Sequence, residues 1–154
     1  MATFVGTYVN KVDSKGRVSV PSRFRDAVAG QSYRGVVVAP STDVGALDAC
    51  DYERITEVAA ALDDPDLYTA EQRQQAENIL ARSVELPFDD GGRILLPQEL
   101  LKHAGIQGQA MFVGIGPTFQ IWNPERRREH EARFAAGPAA GASLRLLPKL
   151  RRSR

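Results

Sequence analysis

Cysteine is almost missing from this chain: Cys50 is the only one in 154 residues. A single thiol cannot form an internal disulfide, so the fold does not lean on an oxidising compartment, and a cytoplasmic location is expected. Histidine is nearly as rare. His103 and His130 lie far apart in sequence, and Cys50 has no partner at ligand spacing, so no metal site is expected. No apolar run approaches the roughly 20 residues of a membrane span. The first eight residues lack a basic stretch followed by an apolar core, so no secretory signal is expected either. Phosphate loops, nucleophile elbows and dinucleotide fingerprints are also missing. The expectation is therefore a non-enzymatic protein with no catalytic residues and no cofactor. Asp63-Asp64-Pro65-Asp66 reads as a helix-breaking linker, not as a cation site.

What the chain has is segregated charge. The formal net charge is only +1, yet residues 1–42 carry six basic side chains against two acids. Residues 43–90 carry thirteen acids against three arginines, and residues 91–154 carry eleven basic groups against four acids. Basic surfaces at both ends with an acidic middle suit a protein that meets a polyanion. Charge alone equally suits a chain that needs only solubility.

The chain also repeats itself. Asp13-Ser14-Lys15-Gly16-Arg17-Val18-Ser19-Val20-Pro21 aligns without a gap on Asp89-Asp90-Gly91-Gly92-Arg93-Ile94-Leu95-Leu96-Pro97. Pro21 leads through Phe24 and Val28 to Gly30, and Pro97 leads through Leu100 and Leu101 to Gly105. Each copy then reaches an aliphatic stretch, Val36-Val37-Val38 or Met111-Phe112-Val113, and closes on a second one near residues 47–50 or 119–122. Agreement at this many positions marks an internal repeat.

Each copy reads as β-β-α-β-β. A strand (7–12; 84–88) enters a turn where Gly16, or Gly91-Gly92, supplies positive φ. A short strand follows (17–20; 93–96). Proline opens a short helix, and Gly30 or Gly105 stops it. Between the copies, residues 51–62 place Ile55, Val58, Ala59 and Leu62 on one helical face. Thr69 with Gln72 predicts a capping box for a second helix to about residue 83, with Ala76, Ile79 and Leu80 as its apolar side. A last helix starts at Pro124. The expected organisation is repeat 1 over 5–50, helical insert 51–83, repeat 2 over 84–124, C-terminal helix 125–136, and a basic tail 137–154 without fixed structure. A unit of about 45 residues is too small for a good core, so the two should pack as a pseudo-symmetric pair.

At these residues the sequence resembles a known family. Phe4-Val5-Gly6-Thr7-Tyr8, the string from Asp13 to Pro21 and the string from Asp89 to Pro97 resemble MraZ, a bacterial family with two SpoVT/AbrB-like domains, over about residues 1–135. The resemblance implies an α+β, β-rich fold. Its two tandem swapped-hairpin repeats would form a pseudo-symmetric β-barrel with peripheral helices. It implies a homo-oligomeric ring, and nucleoid-associated, sequence-specific binding to double-stranded DNA at promoter direct repeats upstream of a division and cell-wall gene cluster. The family's Asp-x-x-x-Arg motif falls on Asp13 with Arg17 and on Asp89 with Arg93. The second copy departs from the first, with Asp90 for Ser14 and Gly91 for Lys15, which predicts unequal loops.

Lys15 and Arg17 flank the first turn glycine and should project from a hairpin, where arginine can pair with guanine and lysine with guanine or phosphate. Arg93 is their counterpart. The competing reading is that Arg17 only pairs with Asp13 and stiffens the hairpin. Arg23, Arg25 and Arg34 read as phosphate contacts or as solvated charge. Asp13 and Asp89 read as groups that orient the arginines and cap the turns. Phe112, Phe119 and Trp122 read as core. Arg126-Arg127-Arg128, interleaved with Glu125, Glu129 and Glu131, reads as a solvated helix face. The leading function is a DNA-binding regulator. The alternative is a protein-binding module, an AbrB-like antitoxin or scaffold that holds a protein partner.

Overall fold

Gly16 and Gly92 sit at φ 91° and 75°, a region open to glycine and strained for other residues. Each reverses the chain into a three-residue strand. The computed structural model describes residues 2–138, 141, 143 and 144. In it the first copy forms β1 (Thr7–Lys11), β2 (Arg17–Ser19), α1 (Ser22–Ala27), β3 (Gly35–Pro40) and β4 (Leu47–Cys50). The insert forms α2 (Tyr52–Ala61) and α3 (Ala70–Arg82). The second copy forms β5 (Val84–Pro87), β6 (Arg93–Leu95), α4 (Gln98–Ala104), β7 (Gln109–Gly114) and β8 (Phe119–Trp122), followed by α5 (Pro124–Ala135).

The result is a mixed α+β fold whose strand pairings are antiparallel. A six-stranded sheet runs β1-β7-β8-β4-β3-β5, and a separate pair joins β2 to β6. Exchange each strand for its equivalent in the other copy, and the six-strand order reads the same from the opposite end. The pairing crosses between copies. β1 lies on β7, with Val9 opposite Met111, and β5 lies on β3, with Leu86 opposite Val36. β1 and β5 are the ends of this order, and no strand pairing among the described residues joins them.

The core is shared in the same way. Phe4 and Phe24 from the first copy meet Phe119 from the second, with ring centroids 4.9 to 5.4 Å apart, and Phe112 stacks beyond at 6.1 Å. Val18, Val20, Ile94 and Leu96 join the same buried cluster. The buried cluster draws its side chains from both copies. Phe112, Phe119 and Trp122 are all core residues, as the sequence predicts.

Several local expectations hold and several do not. Thr69 and Gln72 form the reciprocal capping box, Thr69 Oγ1 accepting from Gln72 N at 3.1 Å and Gln72 Oε1 accepting from Thr69 N at 3.0 Å. Gly105 stops α4 at φ 63°. Gly30 does not stop α1, which ends at Ala27 with Val28 as its cap. The pair Gly91-Gly92 uses positive φ only at Gly92. Ala59 and Ile79, expected on buried faces, are exposed, because α2 and α3 lie on the surface and α2 has no buried residue. The solvated face expected of Arg126-Arg127-Arg128 holds for the exposed Arg126 and Arg128, while Arg127 is half-buried. Arg126 Nη1 donates to the carbonyls of Gly45 and His103, at 3.2 and 3.0 Å. Arg127 pairs with Glu131 at 2.9 Å and lies 5.3 Å from the centroid of the Trp122 ring. Most of the basic tail lies outside the described residues. Among the described residues, no helix is long and apolar enough to cross a membrane.

Candidate nucleic-acid interface

The two repeated strings fold into the same turn, bond for bond. Asp13 Oδ1 accepts from the backbone N–H of Lys15 and of Arg17, each at 2.9 Å, and Oδ2 accepts from Arg17 Nε at 2.7 Å. Asp89 Oδ1 accepts from Gly91 N and Arg93 N, each at 2.9 Å, and Oδ2 accepts from Arg93 Nε at 3.0 Å. The glycine N–H closes each turn on the aspartate carbonyl at 3.0 Å. This geometry explains the spacing. Aspartate must stand first, glycine fourth and arginine fifth. The third residue contributes only its N–H, which is why lysine and glycine are interchangeable there. The backbone N–H of Arg17, and in the second turn that of Arg93, is the largest influence holding each carboxyl below the ordinary 3.8. Both aspartates are therefore ionised at neutral pH and hold their arginines by charge.

The aspartate grips each arginine through Nε. That contact leaves the two terminal Nη groups, the prongs of the guanidinium fork, for other partners. Both ion pairs are exposed to similar degrees, Arg17 and Asp13 at 39% and 36%, Arg93 and Asp89 at 42% and 39%. An exposed pair adds little to stability, so its effect is on direction.

The strand register brings the two turns together. In the β2–β6 pair, Val18 faces Ile94, Arg17 faces Leu95, and Ser19 faces Arg93. Val18 and Ile94 point into the core. Side chains alternate along a strand, so Arg17, Ser19, Arg93 and Leu95 share the outward face. The Cα atoms of Arg17 and Arg93 lie roughly 8 Å apart by the rise and spacing of an antiparallel pair. Residues 76 positions apart in sequence thus form one ribbon with a local twofold between Val18 and Ile94.

Each turn also rests on the other copy. Leu96 N donates to Gly16 O at 2.9 Å, and Val20 N donates to Gly92 O at 3.1 Å. Gly16 packs against Leu101 of α4, while Gly92 packs against the guanidinium of Arg25 from α1. Arg25 Nε donates to Val20 O at 3.1 Å. Arg25 is thus braced beneath the second turn, a placement the sequence did not reveal. Arg23 stands exposed in the first turn of α1, and Lys15 is exposed at the first hairpin. Leu95 escaped the sequence reading. The signal was available, since Ile94-Leu95-Leu96 forces one apolar side chain outward.

Other chemistry is thin. Among the described residues, no group of three His, Cys, Asp or Glu side chains could hold a metal ion. Burial, the leading cause, pushes the Cys50 thiol up to about 11, so at neutral pH it is neither thiolate nor nucleophile.

The fold and site define a mixed α+β protein that presents a single arginine-bearing two-stranded ribbon built from two repeated turns. A family model described as "MraZ protein, putative antitoxin-like" matches residues 79–147. "Transcriptional regulator MraZ" of Rhodospirillum rubrum is 42% identical over 92% of this chain and 95% of its own length. The protein of the same name from Pelagibacter ubique is 44% identical over 79% of this chain and 78% of its own. That from Rickettsia akari is 39% identical over 84% and 87%. The chain belongs to the MraZ family.

Proposed function

We propose that this protein is a sequence-specific DNA-binding transcriptional regulator that reads the major groove of double-stranded DNA with the β2–β6 ribbon. The observation that carries this reading is the pair of identical aspartate-held arginines on one outward face. A major groove about 12 Å wide admits a two-stranded ribbon, and an arginine held at Nε offers its fork to guanine O6 and N7. Arg17, Lys15 and Arg93 are the contacts, with Arg17 foremost. Asp13 and Asp89 orient the arginines. Arg23 and Arg25 add positive field nearby, Arg25 also by bracing the second turn. The relatives' name, transcriptional regulator, supports the same reading.

The two copies act as tandem SpoVT/AbrB-like repeats, 5–50 and 84–124, with exchanged hairpins. The hydrogen bonds from Leu96 to Gly16 and from Val20 to Gly92 support that exchange. The Val12–Val18 bridge between the end of β1 and β2, together with the packing of β6 against β5, supports a pseudo-symmetric barrel completed by the β2–β6 ribbon. One such ribbon carries few base contacts, so tight binding needs several subunits on promoter direct repeats. A homo-oligomeric ring over the division and cell-wall gene cluster meets that need, in a cytoplasmic, nucleoid-associated, non-enzymatic protein.

The test is selection from a randomised duplex library by the full chain, followed by footprinting on the enriched duplex and on the promoter of its own gene. Protection of repeated short elements, lost in the Arg17→Ala/Arg93→Ala double variant, supports the reading. Equal retention of random and selected duplexes overturns it. The family description carries the word antitoxin-like, which favours a second reading as a protein-holding module. That reading predicts tight capture of a protein with no duplex enriched.

A further inference from the structure

Leu95 is the anomaly of the ribbon. Its neighbours Ile94 and Leu96 are each 1% exposed, while Leu95 is 54% exposed. It stands directly opposite Arg17 in the register, and its Cδ1 lies 3.8 Å from where a Cβ on Gly16 would be. An apolar side chain therefore borders the turn that carries Lys15 and Arg17. The equivalent position in the first copy is Ser19, opposite Arg93. The two halves of the outward face are Arg17 with Leu95 and Arg93 with Ser19.

We propose that Leu95 is a specificity-determining residue that packs on the C5-methyl group of a thymine beside the base pair taken by Arg17, and that its inequality with Ser19 makes the recognised element directional. This deepens the DNA-reading function proposed above and rests on it. The major-groove edge of thymine carries one apolar group, and it is read by apolar contact. A leucine flanked by cations suits a ligand that offers a methyl group within a polyanion. A second copy of the chain packed on the same face would set Lys15, Arg17 and Arg93 against their own counterparts, a repulsive arrangement. The ribbon's local twofold would suit a palindromic element if both halves were alike. Leucine on one side and serine on the other remove that equivalence, so the element reads differently in its two directions.

The experiment uses the full chain and the duplex it enriches from a randomised library. Each thymine is replaced in turn by deoxyuridine, which keeps the base pair and deletes the methyl group. The parent should lose about fourfold in affinity at one position, the equivalent of roughly 0.8 kcal/mol for a methyl-sized group. Leu95→Ala and Leu95→Ser should lose nothing further there, and inverting one element relative to its neighbouring repeats in the duplex should weaken binding by the parent. Circular dichroism confirms that the variants fold, and light scattering gives their subunit number. No uridine-sensitive position, or an equal loss in parent and variants, overturns the proposal. So does a Leu95→Ala protein that changes subunit number without losing methyl sensitivity, which makes Leu95 a subunit contact. Arg17→Ala separates the two levels. If it binds as the parent does, or if no duplex is enriched, the ribbon reading fails and this proposal with it. If Arg17→Ala loses binding while Leu95 shows no coupling to a methyl group, only this proposal fails.

Discussion

Val18 and Ile94 face one another at the centre of the β2–β6 pair, each 1% exposed or less. This contact is the hinge point of the molecule's pseudo-symmetry. Because both side chains are anchored inward, the residues on either side of each must point outward. Those residues are Arg17, Ser19, Arg93 and Leu95. Core packing thus dictates the face that the protein presents, and the aspartates refine where the arginines aim.

The turn glycines should tolerate alanine unequally. Gly16 and Gly92 both have positive φ, which strains alanine by about 1–2 kcal/mol. A Cβ at Gly16 would also meet the Leu96 carbonyl oxygen at 2.7 Å, a backbone atom that cannot swing aside. A Cβ at Gly92 would meet the Arg25 guanidinium at 2.6 Å, which can move away by releasing Val20 O. Gly16→Ala should therefore be the more destabilising in denaturant titrations. Gly92→Ala should cost less in an Arg25→Ala background than alone. Additive costs in that cycle would show that the Arg25 contact is irrelevant.

Acid should loosen both turns. The carboxyls of Asp13 and Asp89 titrate below their ordinary 3.8, first because of the arginine backbone N–H each accepts. A lowered folded value gives stability that is fully present above the unfolded value, about 3.9, and is lost as pH falls through the folded one. Asp13→Asn should be less stable than the parent by a constant amount from neutral pH to about 4. Below that the two should converge. Denaturant midpoints measured from pH 7 to pH 2.5 check this. A gap that stays constant to the lowest pH would mean that the charge of Asp13 does not support the turn.

The sequence showed much of this because much of it is local. Thr69 with Gln72, Gly105 and the Asp-to-Arg turns are each complete within a few residues. Other features depend on residues far along the chain. Arg126 reads as one of three solvated arginines, yet its partners are carbonyls 81 and 23 positions away. Arg25 reads as a surface cation, yet it lies under a turn from the other copy. Gly30 matches Gly105 in the alignment, but α1 ends before reaching it. Ile79 fits an apolar helical stripe, but no second layer covers α3 at that point.

The two arginines should differ in weight even though their turns are alike. Their exposures nearly match, so the difference must come from neighbours. Arg17 has Lys15 beside it and Leu95 opposite, whereas Arg93 follows Asp90 and Gly91. An acid at that turn weakens the local attraction for phosphate. Arg17→Ala should lose about 1–3 kcal/mol of specific binding per contact. Arg93→Ala should lose less. Titrations of both variants on one selected duplex decide the order, and an equal or larger loss at Arg93 reverses it.

The basic tail should add affinity without adding specificity. Residues 137–154 carry Arg145, Lys149, Arg151, Arg152 and Arg154 and no acid. Each phosphate neutralised by such a charge releases counterions and steepens the salt dependence of binding by about 0.9 in log–log slope. That contribution does not depend on base sequence, because phosphates are the same everywhere along the duplex. Repeated over several subunits it multiplies, since the tails act on one continuous strand of DNA. A chain ending at Ala136 should therefore bind scrambled duplex more weakly and show a flatter slope across a salt series. The ribbon is untouched by the deletion, so the same sequence should still be preferred. Affinities on selected and scrambled duplexes between about 50 and 200 mM salt, the range over which phosphate contacts are most visible, measure both effects. A slope unchanged by truncation would show that the tail does not touch DNA, and a changed sequence preference would show that it does more than neutralise phosphate.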